Sequence, residues 1–166
     1  MSNATTDVMR AVRAVRRFRE GSVPEEDLNE ILEVARWTGT ASNRQSWDVV
    51  VVRDRDLLEQ LSACGVTHLA TAAVGLVLVS QGQVNELQAF DEGRIAERVM
   101  VAAQALGLRS APGWFKDGGR ERARQLIGAP GEATVRTAVS LGHPAEGAEI
   151  GGRRRQLASL VHEGRW

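Results

Sequence analysis

Apolar residues recur along the chain with two different periods. Leu28, Ile31, Leu32 and Ala35 fall at i, i+3, i+4 and i+7, and Ile95, Val99, Ala102, Ala103 and Leu106 repeat that spacing later. Such spacing gathers side chains on one face of a helix. Residues 49–52 and 74–80 are instead short, unbroken and rich in valine, which suits strands covered on both faces. The pattern predicts helices over 7–16, from Pro24 to near Gly39, and over 56–63, 89–106 and 120–127. It predicts strands over 49–52, 74–80 and 134–141.

Punctuation supports these bounds. Ser22-Val23-Pro24-Glu25 reads as a capping box with proline in the first turn. Gly107 and Gly128 stop two helices, and Gly142-His143-Pro144 ends the last strand. Gly113-Trp114-Phe115 is expected in a loop. No repeat or linker divides the chain, so residues 1–166 are expected to form one α+β domain, a mixed or antiparallel sheet between helices with loops carrying the function.

Composition narrows the partners. Lys plus Arg and Asp plus Glu are both 21, so no global field favours nucleic acid or an anionic membrane. A single cysteine, Cys64, excludes an internal disulfide and suits a reducing cytoplasm. The polar start lacks a secretory signal, and no apolar run approaches the roughly 18 to 20 residues that span a bilayer. Cys64, His68, His143 and His162 have no metal-ligand spacing, and there is no Gly-x-Ser-x-Gly elbow, dinucleotide fingerprint or P-loop.

Two segments carry candidate chemistry. In Arg13-Ala14-Val15-Arg16-Arg17-Phe18, three cations stand beside an aromatic anchor. Arginine binds phosphate through a planar fork that stays charged, although three arginines can equally be a solvated helix face. In Ala41-Ser42-Asn43-Arg44-Gln45-Ser46-Trp47, Asn43 and Gln45 alternate with their neighbours, so both amides can point to one side of an extended chain. Amides match the mixed donor and acceptor edge of a flavin ring; a capped turn before a strand is the plainer reading.

Taken in order, these segments resemble the FMN-dependent nitroreductase family. The resemblance runs through Arg13-x-x-Arg16-Arg17-Phe18, Val23-Pro24-Glu25-Glu26, Asn43-x-Gln45-x-Trp47 and the valine strand. It continues through the long helix after Asp91, Ala105-Leu106-Gly107-Leu108-Arg109-Ser110 with Trp114, Leu141-Gly142-His143-Pro144, and Arg153-Arg154-Arg155-x-Leu157.

The resemblance implies a nitroreductase-like sandwich, dimeric, with FMN held non-covalently at the subunit interface and NAD(P)H as co-substrate. By it, Arg13 and Arg154 would grip the phosphate, flanked by Ala14, Arg17, Arg153 and Arg155. Arg16 would face the ring edge where negative charge develops, an effect of about 2.7 to 4 kcal/mol for one well-placed donor. Ser42, Asn43 and Gln45 would hold the flavin, commonly from the partner subunit. Ser110, Ala111, Pro112 and Gly113 would bring backbone groups near the reactive nitrogen. No side chain is assigned as a proton donor and no metal is expected.

The chain departs from the family at Val12 and Ala14, where Arg and Ser are usual, and at Gly39, Thr40, Ser46 and Glu97-Arg98. It lacks the helical insertion that roofs the pocket of larger members, which implies a more open site. The expected activity is ping-pong electron transfer to a small acceptor such as a nitroaromatic or quinone. The alternatives are a flavin-modifying or dehydrogenating relative, or a non-catalytic protein with a degenerate flavin site.

Overall fold

The computed structural model describes residues 3–82, 85–116, 118–148 and 152–166. Among them are five α-helices, α1 (Ala4–Ala11), α2 (Glu25–Arg36), α3 (Arg55–Ala63), α4 (Glu86–Ala105) and α5 (Gly118–Leu126). Four strands, β1 (Trp47–Val52), β2 (Val74–Ser80), β3 (Arg109–Trp114) and β4 (Thr134–Gly142), form one sheet in the order β1-β2-β4-β3. Every neighbouring pair is antiparallel, so the sheet is antiparallel rather than mixed.

The sheet separates two apolar layers. Leu76, Leu78, Val139 and Leu141 face α2 and α4, meeting Leu28, Ile31, Ile95 and Val99. Val77, Val79, Val135 and Ala138 face α3 and α5, meeting Leu58, Leu61 and Phe115. This alternation explains the unbroken valine runs: Val49 and Val51 pack on the first layer, Val50 and Val52 on or against the second.

The helix expected over 7–16 stops at Ala11, and Val12 turns the chain into an extended course. Tertiary hydrogen bonds override local helical spacing there. Val15 N donates to Ser110 O at 2.9 Å, Ala14 bridges Ser110 and Phe18 bridges Pro144. The predicted capping box before α2 is also absent. Pro24 stands at the N-cap with no side-chain cap, and Glu25 pairs instead with Arg53 at 2.5 Å.

The loop expected at Gly113-Trp114-Phe115 is largely strand, because β4 supplies a complete partner for residues through Trp114. Pro112 is tolerated because β3 is an edge strand.

Glu92 ties the sheet to α4. Only 2% exposed, it receives Ser80 Oγ at 2.7 Å, Thr137 Oγ1 at 2.6 Å and Arg136 Nε and Nη2 at 3.1 and 3.0 Å. One carboxylate thus satisfies donors from β2 and β4 and compensates its own burial.

Candidate functional site

The extended segment after α1 lies between the start of β3 and the chain leaving β4. Val15 N bonds β3 as above, while Arg19 N donates to His143 O and Ala145 N to Arg17 O, both at 3.0 Å. Val15 and Phe18 are buried, and this clamping leaves Arg16 and Arg17 exposed. A cavity of about 520 Å³ opens beside them, lined by Arg13, Ala14, Arg16, Arg17 and, from the C-terminal segment, Gly152 and Arg154.

A second cavity, about 610 Å³, shares Arg13, Ala14 and Arg154 and continues over Met100 and Pro112, with Glu97 at its edge. Together they form a trough with a basic end and an apolar floor. Among the described residues, none of Arg13, Arg16, Arg17 and Arg154 forms an ion pair. Arg13 Nη1 donates to Arg10 O at 2.6 Å and Val12 O at 2.7 Å, and Arg154 Nη1 donates to Gly152 O at 3.2 Å. Carbonyl contacts orient guanidinium groups without neutralising them, so the basic end suits a multiply charged anion such as a phosphate.

The other expected site residues divide clearly. Pro112 lines the trough, whereas Ser110 and Ala111 are buried behind it. Gly113 has no room for a side chain: a Cβ there would stand 2.6 Å from Val66 Cγ1 and 2.8 Å from His68 Nε2. Arg153 and Arg155 are exposed and line neither cavity, and Arg155 Nη2 instead donates to Ser159 O.

Ser42, Asn43 and Gln45 are exposed in the α2–β1 loop and line neither cavity. The loop is anchored to α4 by Ala41 N on Asp91 Oδ2 at 3.2 Å. Its backbone is not the extended chain that alternation suggested. Ser42, Asn43 and Gln45 have φ of 53°, 54° and 49°, a left-handed conformation uncommon outside glycine. Sequence reading also missed Met100, which lines the floor, and His68, which lies beneath β3.

His68 Nδ1 is 2.7 Å from Ser140 Oγ, which in turn donates to Ala111 O at 3.3 Å. Burial first, and then the nearby Arg16 guanidinium, hold the imidazole pKa down at about 4, against a backbone hydrogen bond with Pro112 that raises it. His68 is therefore neutral near pH 7.

That depression fixes a pH dependence. Between about pH 6.5 and about pH 4 the unfolded chain binds a proton at this position that the native state refuses. Its stabilising contribution is thus complete above about pH 6.5 and is lost as pH falls toward 4, at no more than about 1.4 kcal/mol per pH unit. Urea midpoints from pH 7 to pH 4.5 should fall more steeply for the wild type than for His68→Gln. Parallel curves would remove this assignment.

Comparison with known proteins gives the family and the fold. Residues 9–89 match the family model described as the nitroreductase family. The NADH dehydrogenase of Thermus thermophilus is 34% identical over 173 aligned residues, spanning 81% of this chain and 83% of that protein. An FMN-dependent nitroreductase from Clostridium difficile has the same fold, with a TM-score of 0.86 at 22% identity over 96% of this chain and 98% of that one. The NADPH:FMN oxidoreductase of Vibrio harveyi, solved with NAD+, gives 0.84 at 23% identity over 99% and 78%. Sequence identity across most of the chain, joined to this shared architecture, establishes that the chain belongs to the nitroreductase family.

Proposed function

We propose that this oxidoreductase binds FMN non-covalently in the trough and passes electrons from NADH or NADPH to a small acceptor such as a nitroaromatic or quinone. The observation that carries the reading is the meeting of Arg13 and Arg154, from opposite ends of the chain, in the lining of the same two cavities. Uncompensated cations beside an apolar floor match a molecule with a phosphate at one end and a flat ring at the other.

In this reading Arg13 and Arg154 hold the phosphate and Arg17 adds charge beside it. Met100 and Pro112 support the ring, and Arg16 supplies a fixed positive charge at its edge. Ser110 to Gly113 bring backbone groups toward it, and neutral His68 braces that strand from behind. Bound FMN would supply the redox chemistry, accepting hydride from the nicotinamide and releasing electrons to the acceptor in a ping-pong cycle at one site. The chain's own residues bind, orient and set the local charge.

The protein acts as a homodimer in this proposal, within the reducing cytoplasm that a single buried cysteine suits. The C-terminal segment exposes Leu157, Leu160, Val161 and Trp166, an apolar surface that a second copy would cover. The exposed amides of Asn43 and Gln45, which line neither cavity of their own protomer, would then reach the cofactor of the partner.

The purified protein should be yellow, sediment as a dimer and bleach under NADH or NADPH without oxygen, with colour returning when a quinone is added. A yellow protein inert to both nucleotides would indicate another flavin chemistry. A colourless protein that refuses added FMN would overturn the reading.

A further inference from the structure

We propose that the cavity between the N-terminal half of α4 and the end of β3 binds an anionic aromatic small molecule, with its ring against Trp114 and its acidic group on Lys116 and Arg120. This cavity, of about 540 Å³, is within the range of small-molecule sites. It adjoins the trough, since Glu97, Met100 and Pro112 line both. Its use as the acceptor's subsite rests on the flavin reading above; its ligand chemistry does not.

Shape argues for a flat ring. Ala89, Gly93 and Ala96 on α4 are small and leave a slot opposite β3. Trp114 at the strand end is 61% exposed and offers an indole face, to which aromatic ligands stack.

Charge argues for an acid. Lys116 is the only lysine in the sequence. Arg120 is braced by Nε donating to Phe115 O at 3.0 Å, which leaves its terminal nitrogens for a ligand. Neither has an ion-pair partner among the described residues. Arg136, third in the group, is fixed by Glu92, whose two oxygens already accept from Ser80, Thr137 and Arg136. The remaining carboxylate among the described lining residues, Glu97, lies where the cavity meets the trough. Positive charge at the Trp114 end and negative charge at the trough end orient the ligand with its acid pointing away from the trough.

The test compares 4-nitrobenzoate with nitrobenzene, similar rings that differ in charge, by equilibrium binding to the full-length protein with and without added FMN. The wild type should bind 4-nitrobenzoate about tenfold or more tightly than nitrobenzene. Lys116→Ala should weaken only the anion, by a similar factor, and Lys116→Arg should restore it. A ¹³C-methylated Lys116 gives one side-chain resonance, which 4-nitrobenzoate should shift and nitrobenzene should not. Equal affinity for the two probes, or an unmoved Lys116 resonance, would overturn the proposal, as when a second copy fills the cavity. A protein that takes up no FMN yet keeps the preference would sink the flavin reading alone. One that oxidises NAD(P)H through FMN without the preference would sink this inference alone.

Discussion

Replacing Glu92 by alanine should lower stability by about 3 to 5 kcal/mol, the cost of breaking a buried ion pair from one side. The substitution leaves the Ser80 and Thr137 hydroxyls, both buried, without their acceptor, and Arg136 without its counter-charge. It also unties α4 from β2 and β4. At about 2 to 4 °C per kcal/mol for a chain of this size, the thermal midpoint should fall by roughly 6 to 20 °C. Glu92→Gln keeps an acceptor and should lose less. Denaturant titration with an unchanged slope checks this, and a Glu92→Ala protein as stable as wild type would show that the network is incidental.

Glu92 also shows what the sequence could reveal. It falls three residues before Ile95 and seven before Val99, on the apolar stripe of its helix, and a charge in that register signals a buried carboxylate in need of donors. His68 sits between Val66 and Leu69 with the same kind of warning. The donors themselves come from β2 and β4, and that pairing is not written in local spacing.

The elements that sequence located well are those whose buried face decides their conformation. β2 matches its apolar run residue for residue, and α2 and α4 follow their stripes. β3 was hidden because proline, glycine and tryptophan resemble turn chemistry, and only an available edge on β4 makes them a strand. The 12–18 segment satisfies helical spacing through Val12 and Val15, yet tertiary bonds with Ser110 and Ala145 draw it out straight. Order and spacing pointed to both basic clusters. The resemblance named Arg154 with Arg13 for the phosphate and set Arg153 and Arg155 beside them; of these three neighbours Arg154 alone lines the trough, because neighbours in an extended segment face different ways. The amide loop was misread because alternation assumes extended backbone and three of its residues are left-handed.

Arg13→Ala and Arg154→Ala should each weaken FMN binding by about 10- to 150-fold, corresponding to the loss of a charge-assisted contact of roughly 1.5 to 3 kcal/mol. Neither arginine forms an ion pair among the described residues, so folding stability should change little. Two cations on one phosphate form a coupled unit, and the double variant should depart from the sum of the singles. Arg153→Ala, at a residue lining neither cavity, should bind FMN nearly as tightly as wild type. Fluorescence titration of FMN into the wild type and the four variants measures all of this.

The most direct measurement compares FMN with riboflavin, which has the same ring and no phosphate. Wild type should prefer FMN by well over tenfold, and Arg13→Ala/Arg154→Ala should abolish that preference while riboflavin affinity stays constant. A double variant that keeps the full preference would contradict the claim that the two ends of the chain meet on one phosphate.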